Sequence, residues 1–212
     1  NSPENKRLTD WVDPFLGCEP ARLPEPDALA AKWRCAKPPI GNTHPGVTMP
    51  FGMVSVCAYS GAYVTGYGRY DVSLSGDEPD TLYDEHTALG IAHFQQSGTG
   101  RIRMYYNYFL TTPLVGSGWE NVGKRYRLEE ETSRPGLYTG RFAESGVDFS
   151  VTCTKRTALH RYTFPEGAES KLVIDFTSGG LLIDGMKTYP EKCTARFLDD
   201  STCEGCVTIE GI

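Results

Sequence analysis

Residues 147–154, VDFSVTCT, alternate without a break: Val147, Phe149, Val151 and Cys153 fall on one side, Asp148, Ser150, Thr152 and Thr154 on the other. A period of two predicts a strand with an apolar face turned to a core and a polar face turned to water. The same rhythm runs through the second half of the chain. Segments 126–132, 136–142, 147–164 and 170–177 are β-prone and are separated by SRPG, AESG and PEGAE. Strands punctuated by turn residues about every 8 to 12 positions predict an all-β fold of antiparallel sheets, a sandwich or a barrel. Residues 191–210 predict one further hairpin with DDST at its turn.

The first half is less regular. Residues 1–10 read as a polar leader. The WVDPFLG stretch at 11–17 reads as strand or strand-to-loop, because Pro14 biases Asp13 away from helix. Residues 18–40 form a long insertion, in which only 27–35 has helical character, with Asp27 as N-cap and Pro38 and Pro39 beyond its end. A loop broken by Pro45 and Pro50 feeds a strand at 52–59. Residues 61–87, rich in Gly, Asp and Tyr, carry no clear period; strands at 88–95 and 102–112 then flank the turn Ser97-Gly98-Thr99-Gly100. With no internal repeat and no firm boundary, residues 11–212 read as a single β-sandwich.

Composition narrows the function classes. The 212 residues suffice for one substantial core. A net charge of −6 with no basic stripe argues against nucleic acid. No apolar run reaches the roughly 18 residues of a membrane span. The start carries no signal peptide, which fits a cytosolic protein or an exported one numbered from its mature end. Seven cysteines, at 18, 35, 57, 153, 193, 203 and 206, are more than a cytosolic domain usually carries. Cys18 and Cys35 bracket the Pro-rich insertion, where a loop-closing disulfide would stabilise the fold. Cys203 and Cys206 form a CxxC with only Cys193 near it, so structural disulfides, free thiols, metal and redox chemistry all stay open.

Most catalytic patterns are missing. Ser97 lacks the glycine and the strand-to-helix switch of a nucleophile elbow. His44, His86, His93 and His160 are scattered, without an HExxH pair. The acidic run 77–85 lacks the calcium-loop pattern, and SGTG precedes a strand with no following lysine, so it is no phosphate cradle. Sugars need flat aromatic faces beside amides, carboxylates and arginines. Tyr105, Tyr106, Tyr108, Trp119, Asn42, Gln95, Gln96 and Arg101 offer these.

Four stretches taken together resemble the N-terminal β-sandwich domain of glycoside hydrolase family 92, the exo-acting, calcium-dependent α-mannosidases. VDPFLG (12–17) resembles the family's VDPFIGT, and GNTHPGVTMPFGMV (41–54) its GHTFPGATVPFGMV. GIAHFQQSGTGR (90–101) resembles GFSHTHLSGTGC. SRPGLYTGRF (133–142) with KRTALHRYTFPEG (155–167) resembles SPGYYSV followed by RVGFHRYTFP. Order and spacing hold from residue 12 to 177.

The resemblance implies a supersandwich-like domain that packs on a larger helical, C-terminal catalytic domain of the same polypeptide. Inverting hydrolysis uses two carboxyls spaced to admit a water. In the family these carboxyls and the calcium ligands belong to that other domain. The expectation is therefore no catalytic residue and no metal ligand in this chain, calcium in the catalytic domain, and an inactive isolated fragment. The loops expected to line the sugar pocket hold Asn42, Thr43, His44, His93, Gln95, Ser97, Gly98, Thr99, Gly100 and Arg101. SGTG is small so that backbone and the next side chain reach a sugar.

Several pocket positions depart from the family pattern: Gln95 and Arg101 replace a histidine and a cysteine, Asn42 replaces a histidine, and His44 stands where phenylalanine is usual. Arg101 would suit a carboxylated or sulfated sugar. Export from the cell follows from the same resemblance. The alternatives are a free-standing carbohydrate-binding or structural module, and a soluble β domain with an unrelated ligand.

Overall fold

The structure, a computed structural model, describes residues 7–18, 43–61, 65–68, 70–71, 81–82, 85–93, 110–176 and 190–209. In chain order the strands are β1 (Val47–Thr48), β2 (Ser55–Tyr59), β3 (Tyr70–Asp71), β4 (Thr81–Leu82), β5 (Thr87–Ala88), β6 (Gly90–Ala92) and β7 (Leu110–Val115). They continue as β8 (Tyr126–Arg134), β9 (Leu137–Phe142), β10 (Val147–Cys153), β11 (Ala158–Thr163), β12 (Ser170–Asp175), β13 (Pro190–Phe197) and β14 (Cys203–Ile209). Two five-stranded antiparallel sheets, ordered β1-β2-β6-β7-β12 and β11-β10-β9-β8-β5, form an all-β sandwich.

The alternation read at 147–154 is the packing plan of the core. Val147, Phe149 and Val151 are buried on β10 and meet Tyr138 and Phe142 of β9. Phe149 and Val151 share one buried cluster with Val56 and Cys57 of β2, Ile91 of β6 and Leu114 of β7. Phe149 lies 5.3 Å from Tyr138 and 5.2 Å from Phe142, centroid to centroid, in the tilted arrangements that aromatic rings prefer.

Three expectations change. The segment 147–164 is two strands, β10 and β11, joined by a turn in which the Thr154 N–H donates to the Thr157 carbonyl at 2.8 Å. The expected strand at 88–95 breaks at Leu89: β5 pairs with β8 in one sheet and β6 with β2 and β7 in the other. The chain therefore changes sheets within one residue. Gly90 permits the crossing, since a Cβ there would lie 2.8 Å from the Thr111 carbonyl oxygen. The third change is at 11–17, where a 3-10 turn (Leu8–Trp11) and further turns replace the strand. Asp13 accepts the Phe15 N–H at 2.9 Å and Gly17 adopts φ +81°, so side-chain bonding and a left-handed residue win over apolar composition.

The hairpin expected at 191–210 is β13–β14, closed by the Leu198 N–H to the Thr202 carbonyl at 2.8 Å. It carries the CxxC on a strand, where positions three apart point to opposite faces. No two described cysteines are bonded to one another. The helical stretch 27–35, Cys35 and residues 102–109 lie outside the described residues.

Candidate functional site

Of the ten residues expected to line a pocket, Thr43, His44 and His93 are described; Asn42, Gln95, Ser97, Gly98, Thr99, Gly100 and Arg101 lie outside the described residues. Thr43 is turned to its own framework. Its hydroxyl donates to the Leu16 carbonyl at 2.8 Å and ties the 12–17 segment to the start of the 43–46 loop. His44 is buried, with Nδ1 accepting the Gly46 N–H at 3.2 Å. Nε2 must then carry the proton and donates to Ser55 Oγ at 3.0 Å.

Ser55 opens β2 and joins the two expected loops. Its backbone N–H donates to the His93 carbonyl at 2.9 Å, while its hydroxyl meets His44. The residues just after β6 and the turn before β1 are thus pinned to one strand end. Sequence spacing separates them by about fifty positions; the sheet order β1-β2-β6 brings them together.

His93 stands at the end of β6, half-buried, against a partner from the opposite sheet. Its Nε2 lies 2.7 Å from Nε2 of His160 on β11, with ring centroids 4.6 Å apart. His160 Nδ1 is 3.0 Å from the Tyr162 hydroxyl, which is 3.0 Å from Thr111 Oγ1 on β7; Thr111 reaches the Ile91 carbonyl at 3.3 Å. Burial pushes His93 down to about 3 and His160 down to about 4, so both rings are neutral at neutral pH. Burial raises Tyr162, which stays a phenol. Ser55, His160, Tyr162 and Thr111 were absent from the residues expected at the site. The available signal was the alternation of ALHRYT, which puts His160 and Tyr162 on one face of β11.

A second polar cluster lies in the core. Glu131 accepts from the Tyr67 hydroxyl at 3.2 Å and from the Tyr138 hydroxyl, and its other oxygen lies 2.8 Å from His86 Nε2. The His86 approach is a close polar contact without hydrogen-bond alignment. Burial and the neighbouring carboxylate raise both phenols, so they remain donors. A bulge puts Glu131 there. The β8–β9 register slips between Glu129 and Thr132, and Glu130 adopts φ +52°. Before the bulge the inward side chains are even-numbered, Tyr126 and Leu128; after it they are odd-numbered, Glu131 and Ser133.

Among the described residues no three His, Cys, Asp or Glu side chains converge as a metal site.

The profile of the glycosyl hydrolase family 92 N-terminal domain matches residues 11–212, and the chain belongs to that family. Among solved structures, it is similar to the family GH92 alpha-mannosidase BT3965 from Bacteroides thetaiotaomicron in complex with mannoimidazole, at 24% identity and a TM-score of 0.67. A second structure of that enzyme matches at 25% identity, also with a TM-score of 0.67. Each alignment covers 97% of this chain and 24% of the solved one, so the chain spans about a quarter of the length of these relatives. No curated protein matches it. Among the described residues no helix is long and apolar enough to cross a membrane.

Proposed function

We propose that this chain is the part of an exported α-mannosidase-like glycoside hydrolase that shapes the sugar pocket, while the hydrolytic carboxyls and calcium belong to a helical catalytic domain outside it. The observation that carries this reading is His93. It is a neutral imidazole held on a buried frame that spans both sheets, directly before residues 94–101. A ring held on this frame fixes the end of β6, from which the chain continues into the residues expected to line the pocket. The family match over 11–212 supplies the substrate class.

Three of the described carboxylates have other work. Glu131 is engaged by two tyrosines, Asp148 pairs with Arg141 at 2.6 Å, and Glu144 pairs with Arg127 at 3.1 Å. None of these is a free acid poised across a cleft from another, which supports placing the chemistry elsewhere. Arg101 extends the reading to acidic sugars.

The test is hydrolysis of a panel of aryl α-mannosides and acidic glycosides, with and without calcium, by this chain alone and by the longer polypeptide. Calcium-dependent turnover only in the longer protein supports the reading. Turnover by the 212 residues alone would sink it. In the longer protein, Arg101→Ala should weaken acidic substrates more than neutral ones; equal effects remove the acidic-sugar part.

A further inference from the structure

We propose that Trp119 is the platform of a carbohydrate-binding site on the surface of this domain, where a neutral sugar ring of an α-linked glycan stacks on the open face of its indole. The choice of a glycan rests on the glycosidase reading given above.

Trp119 lies in the turn between β7 and β8, and 64% of its surface is exposed. Single exposed aromatics are common and need no explanation by themselves. This one is braced. The Lys171 ammonium stands over the indole, 5.5 Å from its centre. In the β7–β12 register Lys171 opposes the buried Leu114, so its stem runs along the core side of β12 and the side chain is only 19% exposed. Its head is held by the Gly116 carbonyl and by Glu169 Oε1 at 3.1 Å. A cation fixed in this way draws the electron-rich face of the ring onto itself and leaves the other face to solvent. The backbone of the turn is fixed as well. The Val122 N–H donates to the Trp119 carbonyl at 3.0 Å, and the Tyr126 hydroxyl donates to the Asn121 carbonyl at 3.4 Å.

A braced indole suits a sugar. The axial C–H bonds of a pyranose form a flat apolar face of partial positive charge, which matches the negative face of an aromatic ring. Because the ring is oriented beforehand, little conformational entropy is lost on binding. Hydroxyls at the rim of the sugar need polar partners. The exposed Glu120 and Lys124 sit in the same turn, and Asn121 Oδ1 steadies Lys124 Nζ at 2.9 Å. The two acids, Glu120 and Glu169, offset the two lysines, so the turn favours a ring without charge. Position says what kind of glycan gains. Ala92 pairs with Leu110, so His93 stands beside the start of β7, whereas Trp119 follows its end. A strand of six residues at about 3.3 Å each separates them by roughly 20 Å. The platform therefore serves a long glycan held at a second point, rather than a monosaccharide.

The experiment uses the intact polypeptide that carries this chain and reads its retardation by yeast α-mannan in affinity electrophoresis. Trp119→Ala should weaken mannan binding about tenfold, the size of one lost aromatic stack. Trp119→Phe keeps a flat face and should lose no more than about threefold. Equal retardation of the wild type and Trp119→Ala overturns the platform, and so does a wild type that mannan does not retard. A similar loss in both variants, accompanied by a lowered Tm in both, would show that the ring only braces the turn, and it also overturns the proposal. Turnover of 4-nitrophenyl α-mannopyranoside by the wild type separates the two readings. Mannan binding that depends on Trp119 in a protein without that turnover leaves the platform standing and sinks the glycosidase reading. Turnover in a protein whose mannan binding ignores Trp119 does the reverse.

Discussion

Nε2 of His160 lies 2.7 Å from Nε2 of His93, although the two residues stand 67 positions apart and belong to different sheets. Neither ring can charge there cheaply, because burial holds His93 at about 3 and His160 at about 4 against the ordinary 6.5. The unfolded chain therefore takes up protons first as pH falls. Stability from these rings is complete above pH 6.5 and is lost as pH drops from there toward their folded values. Between pH 6.5 and pH 5 the loss should be roughly 2 kcal/mol per ring. Urea unfolding at a series of pH values should show this slope, and the double variant H93Q/H160Q should flatten it. A wild-type profile that is level over that range would refute the assignment.

Glu131 organises the second cluster, and its removal should be felt through the groups it leaves behind. In Glu131→Gln the amide keeps only one acceptor oxygen for the Tyr67 and Tyr138 hydroxyls, and the buried phenols lose part of their satisfaction. The expected cost is about 1 to 3 kcal/mol in thermal or urea unfolding. Glu130→Gly next door relieves a left-handed backbone at φ +52° and should be neutral or stabilising by up to about 1 kcal/mol. Destabilisation by both variants would mean that the bulge does not position Glu131.

Gly46 admits no side chain. A Cβ there would meet the Val56 carbonyl oxygen and lie 2.5 Å from Cys57 Cβ. Gly46→Ala should cost about 2 to 4 kcal/mol, read as a lowered Tm. Because the Gly46 N–H holds His44 Nδ1, the His44 15N signals should also shift. A folded variant with unchanged Tm would show that β1 can move away from β2.

Phe51 is fully exposed and sits at φ +56°, a conformation that costs an L-residue with a bulky side chain about 1 to 2 kcal/mol. Phe51→Gly should raise the stability of this chain by about 1 kcal/mol, since no buried contact is lost. A fall in Tm would indicate that the ring is packed in solution.

Much of the sandwich was legible because a strand's side chains alternate by geometry alone. Val147, Phe149 and Val151 declared both their strand and its buried face, and the 191–210 hairpin declared its turn. Motif order from residue 12 to 177 carries the family resemblance as well. Three things needed the fold. The sheet switch at Leu89 depends on the backbone space beside Gly90, which no local pattern encodes. The inward turn of Glu131 depends on a single left-handed residue that reverses the face of β8. The pairing of His93 with His160 depends on which edge strand closes the sandwich. The chain thus determines by itself what alternates, turns and caps, since those are set by neighbours within a few bonds. Which polar groups meet across the core was decided by sheet order and register, because burial demands partners that only the assembled sheets bring within reach.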